Sequence, residues 1–386
     1  MKPQTIVSPE DQSVTFVELF FDLVFVFSVT QVVSFFHHGF HWSGVGQAVL
    51  VFWLVWWAWT QFTWALNAAN TTHHLIGVGV LVATAVAFFM AVALPEAFHE
   101  RSVWFAIAYV LVRTIGLAVY AWVASADPAQ RAAVRIFTLV SASGLIAVLA
   151  GGFIGGTTQY WFWGFAIVLD VIAAAVGGQV EGWNLHVDHF GERHGLFIII
   201  ALGETLIVAA GGVTDAVWTN DLLIVAVLAV AITCGLWWSY FSRAKPWLDH
   251  ALETSDGVQQ TKLARDVFSL IHFPMICGVV AYAVAVEQAV AHPDEPLSLV
   301  GRSALAVGVV LFVGGMVVAM WRAVRRFLLP RAILTAATAI AIVAVSGFSA
   351  FVTLAIALVG VIAIDVLEQR TISPLEESAT DDTPGG

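Results

Sequence analysis

Glu18 and Asp22 stand four residues apart in TFVELFFDLVFVF (15–27), a run otherwise built of Phe, Leu and Val. In a helix that spacing is one turn, so both carboxylates share a face, about 6 Å apart along the axis. Like charges so placed weaken a helix. The start of a helix favours anions, so the pair serves either as a cap and ion pair to a neighbouring helix or as part of an ion pathway. Glu204, in IIIALGETLIV, is the sharper case. It falls about a dozen residues into a second apolar run, roughly 18 Å deep at 1.5 Å per residue. An ionisable group at mid-bilayer costs about 2.5–3.5 kcal/mol on insertion scales, so this Glu must be protonated or paired. The chemistry open to it is exchange of a proton or cation. Gly203 before it would allow a close helix crossing.

Arg113 is the one strong cation inside an apolar run, and thus the natural counter-ion for one of these acids. The sequence leaves open which. Asp170, in FAIVLDVIAA, is expected within reach of the same interior, whereas Asp365 and Glu287 fall near the ends of their runs and are read as solvated. Histidines cluster in HHGFH (37–41) and HVDHFGERH (186–194). The second could offer His186 and His189 with Asp188 or Glu192 to a metal, but it matches neither HExxH nor a Cys/His zinc spacing. They are read as solvated loop histidines. No metal or other cofactor is expected, and no nucleophile–base motif points to an enzyme. Cys234 and Cys277 lie in apolar segments and read as buried small hydrophobes rather than a disulfide.

The elements that must position these groups are membrane spans. Of 386 residues, 60% are hydrophobic and 11% charged, against roughly 25% charged in soluble domains, and the mean hydropathy is +0.88. The fold class is therefore all-α, a polytopic membrane protein. About 20 apolar residues make a span, which places twelve, near 16–36, 46–66, 76–95, 102–124, 133–152, 160–179, 194–211, 219–241, 266–289, 299–321, 331–346 and 348–368. Only SGFSA divides the last two. Pro274, in HFP, should kink the ninth by removing a backbone bond. The first run carries two acids and no small-residue cleavage site, so it reads as an anchor rather than a signal peptide. The net charge of −11 owes much to the terminal EESATDD and to acidic loops, and no basic stretch suits nucleic acid.

Thirteen Lys and Arg, Arg193 and Arg331 among them, fall in one set of loops and tails; Arg101 and Arg302 alone fall in the other. The positive-inside rule then places both termini in the cytoplasm of a cell-membrane protein. The chain also echoes itself. VWWAWTQFTWA (55–65) and LWWSYFSRA (236–244) share a Trp pair, and Asp170 and Asp365 each sit in a sixth span. An even number of spans per half implies parallel repeats: residues 1–180 and 181–370, followed by a disordered cytoplasmic tail, 371–386.

VELFFDLVFVFSVTQ and GERHGLFIIIALGETLI, in that order, resemble the bacterial low temperature requirement A family. The motif positions carried over are Glu18, Phe20, Phe21, Asp22, Glu192, Arg193, Gly203 and Glu204. His194 departs from the pattern, where an aromatic such as Phe is commoner. The resemblance implies a multi-pass membrane protein whose family name comes from growth in the cold, and supplies no substrate. A weaker likeness is to six-plus-six-helix potassium channels, whose repeats open on a phenylalanine-serine-aspartate motif; FFD at 20–22 sits in a comparable place, but the second half has no copy. The expected function is a secondary transporter of a small solute or ion, protons included, with Glu18, Asp22, Arg113, Asp170, Glu192, Arg193 and Glu204 along the pathway. The rivals are a cation channel, and a non-transporting membrane protein of cold or stress adaptation. The lipid bilayer is the expected partner in every case.

Overall fold

Helix ends in this chain follow from local chemistry. Pro128 opens one helix at its first position, while the preceding Asp127 side chain accepts the Ala129 N–H at 2.9 Å, which is the standard use of both residue types. Thr219 and Ser298 cap two others in the same way. Gly155 and Gly156 take φ values of +68° and +60° between two helices that turn back on each other almost without a loop; a side chain there would be strained. Gly347, at φ +78°, does the same within SGFSA.

The computed structural model describes residues 5–9, 12–36, 42–179, 183, 185–214, 217–326 and 328–381, with side chains described up to residue 369. Among the described residues there are twelve apolar helices: α1 (Phe16–Val33), α2 (Trp42–Ala68), α3 (His74–Ala93), α4 (Ser102–Ala124), α5 (Pro128–Ile154), α6 (Gly156–Gly177), α7 (Val187–Thr214), α8 (Asn220–Glu253), α9 (Gly257–Ala291), α10 (Leu299–Val324), α11 (Leu329–Ala344) and α12 (Ala350–Asp381). Each answers to one expected span. Eleven are long and apolar enough to cross a bilayer, and α11, with 16 residues, is the short one. Phe89, Trp104, Ile146 and Trp161 point outward, between 67% and 77% exposed, as a lipid solvent permits. The HHGFH cluster lies outside the described residues, and α12 runs into the segment expected as a tail.

Two helices leave α geometry. π turns interrupt α8 at Tyr240–Ala244 and α9 at Arg265–Ile271. The second ends three residues before Pro274, whose missing N–H leaves the backbone bonding pattern of that turn free to slip. A π turn, rather than the kink expected from HFP, is what the helix shows before Pro274.

By contacts the chain forms two compact units, Met1–Ala201 with Asp249–Phe273, and Leu202–Leu248 with Pro274–Gly386. The sequence halves 1–180 and 181–370 divide the chain differently, since 181–201 and 249–273 belong with the first unit. In the first unit, α2 is the central helix: Val51 to Phe62 are buried almost without a break. In the second, α9 and α10 cross at Gly278 and Gly308. A Cβ on Gly278 would lie 2.8 Å from the Gly308 carbonyl oxygen, the small-residue contact that membrane helices use. Gly203 makes no such contact: among the described residues no atom lies within 4 Å of a Cβ placed there. The two Trp pairs also differ, Trp56 and Trp57 being buried and Trp237 and Trp238 exposed. Both cysteines are free, and Cys234 is exposed rather than buried.

Candidate functional site

The site grows from the first turn of α1. Thr15 and Glu18 stand in the T-x-x-E relation of a capping box. Glu18 Oε2 accepts the Thr15 backbone N–H at 3.0 Å and its hydroxyl at 2.8 Å. That fixes the Glu18 carboxyl with one oxygen on the cap and the other, Oε1, turned toward α7. There His189 Nε2 approaches to 2.9 Å and Arg193 Nη1 to 3.7 Å. One turn along α1, Asp22 Oδ1 accepts the Trp59 indole N–H at 2.7 Å and pairs with Arg193 Nη2. The guanidinium of Arg193 also faces the Trp59 ring, 5.8 Å from its centroid, a cation–π arrangement. Trp56, Phe197 and His194 close the surround. Glu18, Asp22 and Arg193 are each 0% exposed.

The protonation of His189 follows from its neighbours. The Asn67 amide is held by the His186 backbone, donating to its carbonyl at 2.8 Å and accepting its N–H at 2.9 Å. Its nitrogen therefore faces His189 Nδ1, at 3.3 Å, and Nδ1 must be the acceptor. That contact fits the tautomer with its proton on Nε2, toward Glu18, while the Gln12 amide nitrogen also stands 3.5 Å from Nε2. Two carboxylates against one guanidinium leave the cluster a formal charge of −2 + 1 = −1. Asp22 Oδ2 and Arg193 Nε and Nη1 are buried with no hydrogen-bond partner among the described residues.

A second ion pair lies on the other side of α2. Arg113 on α4 meets Asp170 on α6 through Nη2–Oδ1 at 3.0 Å and Nη1–Oδ2 at 3.3 Å. Tyr109 OH accepts from Nη1 at 2.6 Å, and Gln61 pairs with Nε while donating to the Arg113 carbonyl at 2.9 Å. Trp59 and Gln61 are two residues apart, hence on opposite faces of α2, so one helix supports both pairs. Here a single acid meets a single base, and the charges cancel.

This answers which acid Arg113 serves. It also corrects the loop reading of 186–194. α7 starts at Val187, and His189, Arg193 and His194 are buried rather than solvated. A usable signal was present: His189, Arg193 and Phe197 recur every four residues, one buried stripe. Glu192, between them, is exposed and accepts the Val14 N–H at 3.4 Å. Glu204 is half-buried on the part of α7 that belongs to the second unit, where the next residue, Thr205, contacts Thr233 at 3.3 Å. In that unit sequence reasoning missed an ion pair. Arg331, placed among the loop cations, is buried on α11; it pairs with Glu368 on α12 and donates to Ser239 on α8 at 2.9 Å. Asp365 is half-buried in the same surroundings and not simply solvated.

Gly116 on α4 tests the support of the Arg113 pair. A Cβ there would stand 2.7 Å from Gln61 Nε2 and 2.8 Å from the Phe62 ring. Gly116→Ala is expected to push Gln61 off Arg113 and to cost about 1–3 kcal/mol, as overpacking does. Gly77→Ala, in open space, is the control. Thermal unfolding of the detergent-purified proteins should show a lowered midpoint for the first alone.

The family model for bacterial low temperature requirement A protein matches residues 13–366, which takes in both motif segments. An uncharacterized protein of Rhizobium meliloti is 28% identical over 318 residues, 80% of this chain and 76% of its own length. No solved structure matches.

Proposed function

Since the chain belongs to the bacterial low temperature requirement A protein family and is a multi-pass membrane protein, we propose that it is a secondary transporter of a small solute or ion, with the Glu18–Asp22–Arg193 cluster as the site where a proton or cation is taken up and released. The observation that carries this reading is the charge count: a wholly buried cluster with two acids, one base and a neutral histidine. A buried excess charge is costly unless something neutralises it. A bound proton or monovalent cation would do so, with Asp22 Oδ2 as the free acceptor. Loading and unloading would change the net charge of the α1–α7 contact, and that change is what a two-state carrier requires of its coupling site. The Arg113–Asp170 pair flanks the pathway, Glu192 stands at its exposed edge, and Glu204 serves as a further carboxylate on α7. Both termini lie in the cytoplasm of the cell membrane on this reading. With the two buried arginines removed, thirteen cations minus two leaves eleven against two, still a strong bias.

Electrical recording and flux measurements on reconstituted protein separate the alternatives. A carrier is expected to give solute or ion flux with no unitary currents. Unitary currents would mean a channel, and silence in both assays would favour a non-transporting role.

A further inference from the structure

A cavity of about 40 Å³ lies in the first unit, walled by α2, α4, α5, α6 and α9, and nothing in the charge cluster accounts for it. Its wall is almost wholly carbon, and five of its twelve residues are aromatic: Trp57, Trp64, Tyr120, Phe137 and Trp183. Four hydroxyl side chains also line it. Thr261 bonds the Gly257 carbonyl at 3.2 Å and Ser269 accepts from Trp64 at 3.0 Å, which leaves Thr60 and Tyr120 open, beside a Trp57 indole N–H with no hydrogen-bond partner among the described residues. Thr60 and Tyr120 line the cavity at 3% and 1% exposed, and neither Thr60 Oγ1 nor Tyr120 OH has a hydrogen-bond partner among the described residues. The Thr60 case is unusual for its helix, because Thr63, three residues on, bonds back to the Trp59 carbonyl at 3.2 Å. Buried hydroxyls are nearly always satisfied. Two of them left open on one cavity call for a partner there able to bond them.

The surroundings limit what that is. Arg265 lines the cavity, but its Nε donates to Asp266 at 2.8 Å, and Arg113 is matched by Asp170. The nearby charges are therefore paired off one to one, and an ion entering here would lose its hydration for no counter-charge. The volume suits a few water molecules, or one solute of about two to five heavy atoms. An apolar wall with two open hydroxyls calls for a molecule with an apolar body and a single hydroxyl, carbonyl or amide.

We propose that this cavity is a binding site for a small uncharged solute of the short-chain alcohol or amide class, held by Thr60 and Tyr120 against the tryptophan walls. Nothing in it depends on transport, because binding is read at equilibrium. The probe is acetamide, followed by saturation-transfer NMR on the detergent-purified full chain, with methylammonium and acetate as charged counterparts of similar size. Saturable transfer to acetamide is expected. Tyr120→Phe and Thr60→Val should each weaken it several-fold, and together at least tenfold, at unchanged elution volume and thermal midpoint. Ala174→Leu, which fills the cavity, should abolish it. Absence of saturable transfer in the wild-type protein would overturn the proposal and leave a cavity holding water. So would equal binding by the folded double variant, or tighter binding of either ion than of acetamide.

Discussion

Arg193→Met is expected to leave little folded protein in the membrane, although the substitution is apolar and the chain is already rich in such residues. Among the described residues Arg193 is the only arginine paired with Glu18 and Asp22, and all three side chains are fully buried. Removing one partner of a buried ion pair typically costs about 3–5 kcal/mol, because a desolvated charge is left behind. Here two carboxylates would be left, against a total stability for ordinary domains of about 5–15 kcal/mol. Neutralising the acids at the same time should reverse most of the loss: Glu18→Gln, Asp22→Asn and Arg193→Met combined replace the ionic cluster with neutral groups of similar size, a change that buried triads often tolerate. The readout is the monodisperse fraction after detergent extraction, with its thermal midpoint. A single Arg193→Met variant as stable as wild type would mean that α1 and α7 do not meet through this residue.

Arg113→Met should be nearly as damaging, for a related reason. It strands Asp170, which is 2% exposed, and also leaves Gln61 and Tyr109 without their shared partner. The expected loss is again about 3–5 kcal/mol. Asp170→Asn should cost less, since an amide still accepts from the guanidinium and Arg113 keeps its two other contacts. The two changes together should cost less than their sum, because residues in one network do not add. A double-mutant cycle on thermal or denaturant midpoints measures the coupling. Strict additivity would show that the two residues act independently and that the pair is not formed.

Much of this architecture could be read from the residues themselves. Each of the twelve helices falls on an apolar run, because a bilayer admits little else, and SGFSA divides the last two through one glycine. Arg113, as a lone intramembrane cation, announced a buried pair. What stayed hidden was partner choice and the start of α7. Asp170 is 57 residues from Arg113, and Asp22 is 171 from Arg193; no local rule connects positions so far apart. The polar stretch HVDHFGERH reads as a loop to any hydropathy window, since burial there is supplied by ion pairing and aromatic contact rather than by apolar side chains. For the same reason Arg331 passed as a loop cation while its true surroundings are Glu368 and Ser239.

If the uncompensated charge of the α1–α7 cluster binds a transported proton or cation, Asp22→Asn should stop transport and leave the fold intact. Asparagine keeps the shape and an oxygen for the Trp59 N–H, yet brings the cluster from −1 to neutral, so folding should survive while the binding charge is gone. The measurement uses proteoliposomes loaded with a pH-sensitive dye and challenged with a pH step in the presence of Na⁺ or K⁺ gradients. Wild-type vesicles are expected to equilibrate faster than empty liposomes, and vesicles with folded Asp22→Asn protein should fall to the empty-liposome rate. Wild-type rates from a well-folded Asp22→Asn protein, or wild-type vesicles no faster than empty ones, would contradict the account.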